Sequence, residues 1–117
     1  MGSRAPAELA ADPLVRLLVD DYLPRIRRSR GPVDVWLFGS RVRDDWMEES
    51  DLDVILVSER FAEAWPERIA ALIREIRLVD PIQFFCYTPD EFGRKRLELG
   101  FLREAMTEAV PVRAASA

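Results

Sequence analysis

Two aspartates one residue apart, Asp51 and Asp53, stand at the head of an apolar run, Val54-Ile55-Leu56-Val57. Side chains alternate along a strand, so the two carboxylates share a face while Leu52 points the other way. Carboxylates held that close repel unless a cation lies between them, and oxygen donors select a hard ion such as Mg²⁺ or Mn²⁺. Upstream, with ten residues intervening, Gly39-Ser40 follows another apolar segment. Glycine lets the chain turn sharply and brings backbone amides close to a ligand. The serine adds a hydroxyl, and a helix begun there aims its amides at an anion. Together these residues describe in-line phosphoryl or nucleotidyl transfer, which needs positioned phosphates, metal ions and an activated acceptor oxygen. Taken alone, Asp51-x-Asp53 is equally a solvent-facing strand start balanced by Arg41 and Arg43. The Gly-Ser turn and the strands on either side favour the catalytic reading.

Composition narrows the chemistry further. The 117 residues include no histidine, which removes imidazole acid–base catalysis and most zinc sites. The single cysteine, Cys86, lies in the run Phe84-Phe85-Cys86-Tyr87, reads as a small core residue, and fits a reducing compartment. Seventeen basic and twenty-one acidic residues leave a charge of −4, unlike a protein that coats nucleic acid. Nucleic acid enters only as an acceptor. No apolar stretch approaches the roughly 18 residues of a membrane span, and the N-terminus lacks a signal-peptide core, so a cytoplasmic protein is expected. A chain this short supports one modest core, with its site near the surface or completed by a partner; a homo-oligomer or hetero-oligomer is expected.

The elements that must position the site follow from periodicity. Residues 1–12 read as a flexible lead-in, residues 13–110 as a single domain and residues 111–117 as a tail. Leu14, Leu17, Leu18, Tyr22 and Ile26 recur at helical spacing; Pro24 should kink or shorten that helix, and Gly31-Pro32 ends it. The cluster Arg25, Arg27, Arg28 and Arg30 reads as its solvated end. Strands are expected over 33–38, 54–57 and 82–87, with a helix marked by Ile69, Leu72, Ile73 and Ile76. Thr88-Pro89-Asp90-Glu91 has the form of a capping box, which makes Asp90 and Glu91 structural. Gly100 breaks the following helix, and Leu102, Ala105 and Met106 mark a last short one. The fold class is α/β (α+β), a small mixed sheet flanked by helices. Trp36 is read as core, Trp46 as a loop anchor with stacking on a base as the alternative, and Trp65 as helix-start packing.

The string GSRVRDDWMEESDLDVILVS resembles the signature of the polymerase beta nucleotidyltransferase superfamily, and FCYTPDEF resembles its minimal stand-alone members. The similarity spans about residues 33 to 108. It implies a palm-like core that moves a nucleoside monophosphate from an NTP, ATP foremost, to a hydroxyl of a protein or other macromolecule. It further implies Gly39, Ser40, Arg41 and Arg43 for the nucleotide, and Asp51 and Asp53 for two Mg²⁺ ions. Some small members are similar to antitoxins that modify a partner HEPN-domain toxin. Two departures stand out. Asp44 occupies a position where the family often has glycine, and the usual third carboxylate falls on Gln83, an amide that cannot act as a base. Asp80 is near, but it lies an odd number of residues away and precedes Pro81, so it faces the wrong way unless a bulge re-aims it. The alternative is therefore a catalytically weak nucleotide-binding or toxin-binding module.

Overall fold

Four strands form one mixed sheet in the computed structural model, which describes residues 2–112. They are β1 (Asp34–Phe38), β2 (Leu52–Val57), β3 (Ile82–Tyr87) and β4 (Val110–Val112), in the order β3-β2-β1-β4. β1 pairs antiparallel with β2 and β4, whereas β3 runs parallel to β2. The parallel pair needs a crossover, and α4 (Trp65–Ile76) supplies it. Helices α1 (Pro6–Ala10), α2 (Pro13–Leu17) and α3 (Leu23–Arg30) join α4 on one side, burying Leu9, Leu14, Leu18, Ile26, Leu72 and Ile76 against Leu52, Val54 and Leu56. The other side packs Phe38, Ile55, Val57 and Tyr87 against α5 (Pro89–Lys95) and α6 (Phe101–Met106) through Phe92, Leu102 and Ala105. β2 is thus covered on both faces beyond Asp53, which is why residues 54–57 form an unbroken apolar run rather than an alternating one. Among the described residues, no helix is long and apolar enough to cross a membrane.

Pro24 bends the rules differently from expectation. Between α2 and α3 the chain does not break but widens to a π-turn over Leu18–Tyr22. Pro24 has no N–H and its ring would strike the carbonyl four residues back; the wider turn relieves both problems and the helix runs on. Gly31, at φ 71°, then ends it.

Three boundaries also differ. Residues expected as a loose lead-in are built into the fold: Leu9 is core, and the Arg4 N–H donates to the Val42 carbonyl at 2.9 Å. The Asp44 N–H likewise donates to Gly2, so the first residues run alongside the loop after Ser40. At the other end, Val110–Val112 is an edge strand on β1 rather than the start of a tail; Pro111 is tolerated because it lies on an edge. Met1 and the rest of the expected tail, 113–117, lie outside the described residues. Finally, β2 begins at Leu52, which places Asp53 inside the strand.

Candidate functional site

Register brings the sequence-predicted residues together at one end of the sheet. Asp53 is paired with Phe38 on one side and with Gln83 on the other. Directly after Phe38 the chain turns at Gly39, whose φ of 84° and ψ of −170° suit glycine alone. The lack of a side chain matters there as well. A Cβ on Gly39 would lie 2.2 Å from Oδ2 of Asp53, so the glycine gives that carboxylate its room. Ser40 opens a single 3₁₀ turn, Ser40–Val42. Asp51, exposed just ahead of β2, accepts a hydrogen bond from Nε2 of Gln83 at 3.1 Å.

Electrostatics mark Asp53 as the strained member. Its carboxyl is pushed up to about 6 by burial first, then by the negative charges of Asp51 and Glu108, with Arg43 opposing. A half-buried acid beside two further carboxylates suits a hard divalent cation, whose remaining positions a triphosphate and water would fill. The donor set fits one such ion. Among the described residues, no three acidic, histidine or cysteine side chains gather as a metal site.

Two expected residues lie elsewhere. Arg41, assigned to the nucleotide, is only 3% exposed and turns inward to Asp12 and to the carbonyls of Glu48 and Ser50. Its Nε and Nη1 find their partners in the interior, and so buried a guanidinium is poorly placed to meet a phosphate. Asp80 is held on the side of α1–α4, where its Oδ2 accepts the Tyr22 hydroxyl at 2.6 Å. It lies in the bend before β3, where the Ile82 N–H donates back to the Asp80 carbonyl at 2.7 Å, so the turn and not strand alternation sets its direction. Arg43 stays partly exposed, bonded to Glu108 and paired with Asp45.

Sequence reasoning missed Glu108. Its Oε2 accepts the Gly39 N–H at 2.8 Å and its Oε1 accepts from Arg43 at 3.1 Å. A carboxylate thus sits on the amide expected to receive phosphate. Nothing in the string Thr107-Glu108-Ala109 signals this; only the unforeseen β4 delivers it there.

Other assignments keep their structural meaning. Trp46 is a loop anchor under the Arg4 guanidinium, 3.7 Å from the ring centre. Burial pushes the Cys86 thiol up to about 12, which leaves no thiolate for nucleophilic attack at neutral pH. Thr88 and Glu91 close the capping box, and a pair with Arg68 holds the Glu91 carboxyl down to about 2. A cavity of about 330 Å³, lined by Trp65, Phe85, Tyr87 and Phe101, opens on the Asp53 face two residues along β3 from Gln83.

The family described as the nucleotidyltransferase domain matches residues 20–113, starting beyond Arg4 and Asp12. A crystal structure of a candidate nucleotidyltransferase from Sulfolobus solfataricus is similar at a TM-score of 0.55 and 19% identity, over 80% of this chain and 84% of that one. At that identity the likeness is one of fold. No curated protein sequence matches.

Proposed function

The chain belongs to the nucleotidyltransferase domain family, and from that premise we propose that it moves a nucleoside monophosphate from ATP or another NTP to a hydroxyl of a macromolecular acceptor. The acceptor hydroxyl oxygen attacks the α-phosphorus and gives up its proton to water, the bond from that phosphorus to its bridging oxygen breaks, and pyrophosphate leaves. The observation that carries this reading is the register of Asp53, which stands between the Gly39 turn and Gln83 with its carboxylate against Gly39. Mg²⁺ or Mn²⁺ held by Asp51 and Asp53 would neutralise phosphate charge and favour in-line displacement.

The chain's own groups divide the remaining work. The Gly39 N–H, the Ser40 hydroxyl and the Arg43 guanidinium bind phosphate oxygens. Glu108 occupies two of those donors and must give way when the triphosphate arrives. On the other side of Asp53, Gln83 can hold Asp51 but cannot take the acceptor's proton, so turnover is slow. That bond also favours a second reading, a catalytically weak nucleotide-binding or partner-binding module. Either reading leaves room for a partner such as a small HEPN-domain protein, and the lone buried thiol suits the reducing cytoplasm.

ATP labelled on the α- or γ-phosphorus, incubated with protein, Mg²⁺ and a cell extract as acceptor source, separates the cases. Slow passage of the α label to a macromolecule, without the γ label, is expected. Transfer of the γ label would make the protein a phosphoryl transferase. No α label, even from the Gln83→Asp variant, would favour the binding module.

A further inference from the structure

Arg41 lies in a buried ionic clasp whose other members come from the first residues of the chain. Asp12, with a side chain 0% exposed, accepts from Nη1 of Arg4 at 2.8 Å and from Nε of Arg41 at 2.9 and 3.0 Å. The same carboxylate caps α2 by accepting the Leu14 N–H at 2.9 Å. Burial pushes its carboxyl up, but the bonds from Arg4, Arg41 and Leu14 outweigh that and hold it below the ordinary range. Arg4 adds a bond to the Arg41 carbonyl at 3.0 Å and stacks on Trp46.

Such a cluster is a poor device for stability alone. Burying three charges carries a large desolvation cost for each ion, and apolar side chains of equal volume often serve as well or better. What the clasp does achieve is to fix two carbonyls. Nη1 of Arg41 donates to Glu48 and to Ser50, each at 2.8 Å, and the Ser50 carbonyl belongs to the peptide that leads into Asp51. On its far side, Asp51 is followed by Leu52, whose N–H is bonded to Pro81. The backbone is thus pinned on both sides of an exposed carboxylate whose side chain is otherwise held by Gln83. A planar guanidinium can grip a carboxylate at one end and two carbonyls at the other; an ammonium cannot.

We propose that Arg41 and Asp12, braced by Arg4, are positioning residues that set Asp51 for the metal–nucleotide complex. The role rests on the reading of Asp51 and Asp53 given above, and makes the chain's first residues part of the site. Two of the three clasp residues precede the region shared with the family. A second cluster, with a buried arginine and partly exposed carboxylates, supplies the control. Arg30 binds Glu63, Glu75 and the Arg60 carbonyl where β1 begins and β2 ends, the opposite end of the sheet from Asp53.

The test compares full-length wild type, Arg41→Lys, Asp12→Asn and Arg30→Lys, each checked for cooperative melting. Mn²⁺ uptake in the presence of ATP is read from the free-ion electron spin resonance signal, and ATP affinity in EDTA is measured alongside. Arg41→Lys and Asp12→Asn are expected to bind Mn²⁺ about 10- to 100-fold more weakly, with metal-free ATP affinity within about twofold of wild type. Arg30→Lys should lose comparable thermal stability and keep the wild-type Mn²⁺ affinity. Where Arg41→Lys does not fold, Asp12→Asn decides, since asparagine retains the side-chain shape and the cap on Leu14. A folded clasp variant with wild-type Mn²⁺ affinity overturns the proposal and leaves the transferase reading standing. Equal loss in Arg30→Lys also overturns it, because the effect would then follow stability alone. Wild-type protein that takes up no Mn²⁺ with ATP overturns both.

Discussion

On the β1 side of Asp53 the chain offers a backbone N–H at Gly39, a hydroxyl at Ser40 and the guanidinium of Arg43; on the β3 side it offers the amide of Gln83. The first side has what a triphosphate needs and is already fitted around an anion, the Glu108 carboxylate. The second lacks the base that an acceptor hydroxyl needs. On the proposed reading, the two sides of one strand separate binding from deprotonation, and substitutions on each should affect one property while sparing the other.

The largest effect is expected on the β3 side. Gln83→Asp or Gln83→Glu should raise the rate of nucleotidyl transfer by about 10²- to 10⁴-fold, the usual worth of a positioned general base, with little change in ATP affinity. Rates with α-labelled ATP and calorimetric affinities for the same proteins check both halves of that statement. An unchanged rate would mean that the residue at position 83 is not what limits transfer.

Smaller effects, opposite in sign, are expected on the β1 side. Gly39→Ala forces a Cβ towards the Asp53 carboxylate and strains the turn, which should weaken Mg²⁺–ATP binding about tenfold. Glu108→Gln removes the charge that competes for the Gly39 amide. Its pair with Arg43 is partly exposed and of modest strength, so ATP binding should tighten by about fivefold at most. If both variants bind ATP as wild type does, the phosphate seat lies elsewhere.

The smallest effect is one of stability. The folded protein keeps the Asp53 proton up to about pH 6, while the unfolded chain releases it near the ordinary value of 3.8. Folding stability from this group is therefore highest in acid, falls between those two values, and stays reduced at higher pH. Asparagine has no such proton to lose. Metal-free Asp53→Asn should melt a few degrees above wild type at pH 8, and the gain should vanish at pH 4. A gain equal at both pH values would point to packing instead of charge.

What the sequence revealed and what it hid follow from distance along the chain. Gly39, Asp51 and Asp53 belong to one short string, so strand alternation and turn chemistry were enough to place them. Gln83 was singled out through the resemblance, by counting back from Tyr87-Thr88-Pro89, and the register sets it beside Asp53. Parity also predicted that Asp80 would face away; it does, bound to Tyr22, but from the bend before β3 where parity does not operate. Arg41 was misread because a guanidinium beside a phosphate loop and one folded under it look alike in a sequence. Its partner Asp12 lay in a stretch of small residues whose single core anchor, Leu9, carries little periodic signal. Glu108 is bound to Gly39 across 69 positions of sequence, and no local pattern could announce it.

Calorimetric titration of ATP into wild type and into the Asp51→Asn, Asp53→Asn double variant, each in Mg²⁺ and in EDTA, tests the carboxylate pair most directly. The wild type should show an affinity that depends on Mg²⁺, and the folded double variant should bind in Mg²⁺ no better than in EDTA. Equal Mg²⁺–ATP affinity in the two proteins would place the metal and the triphosphate away from Asp51 and Asp53, and would contradict the site.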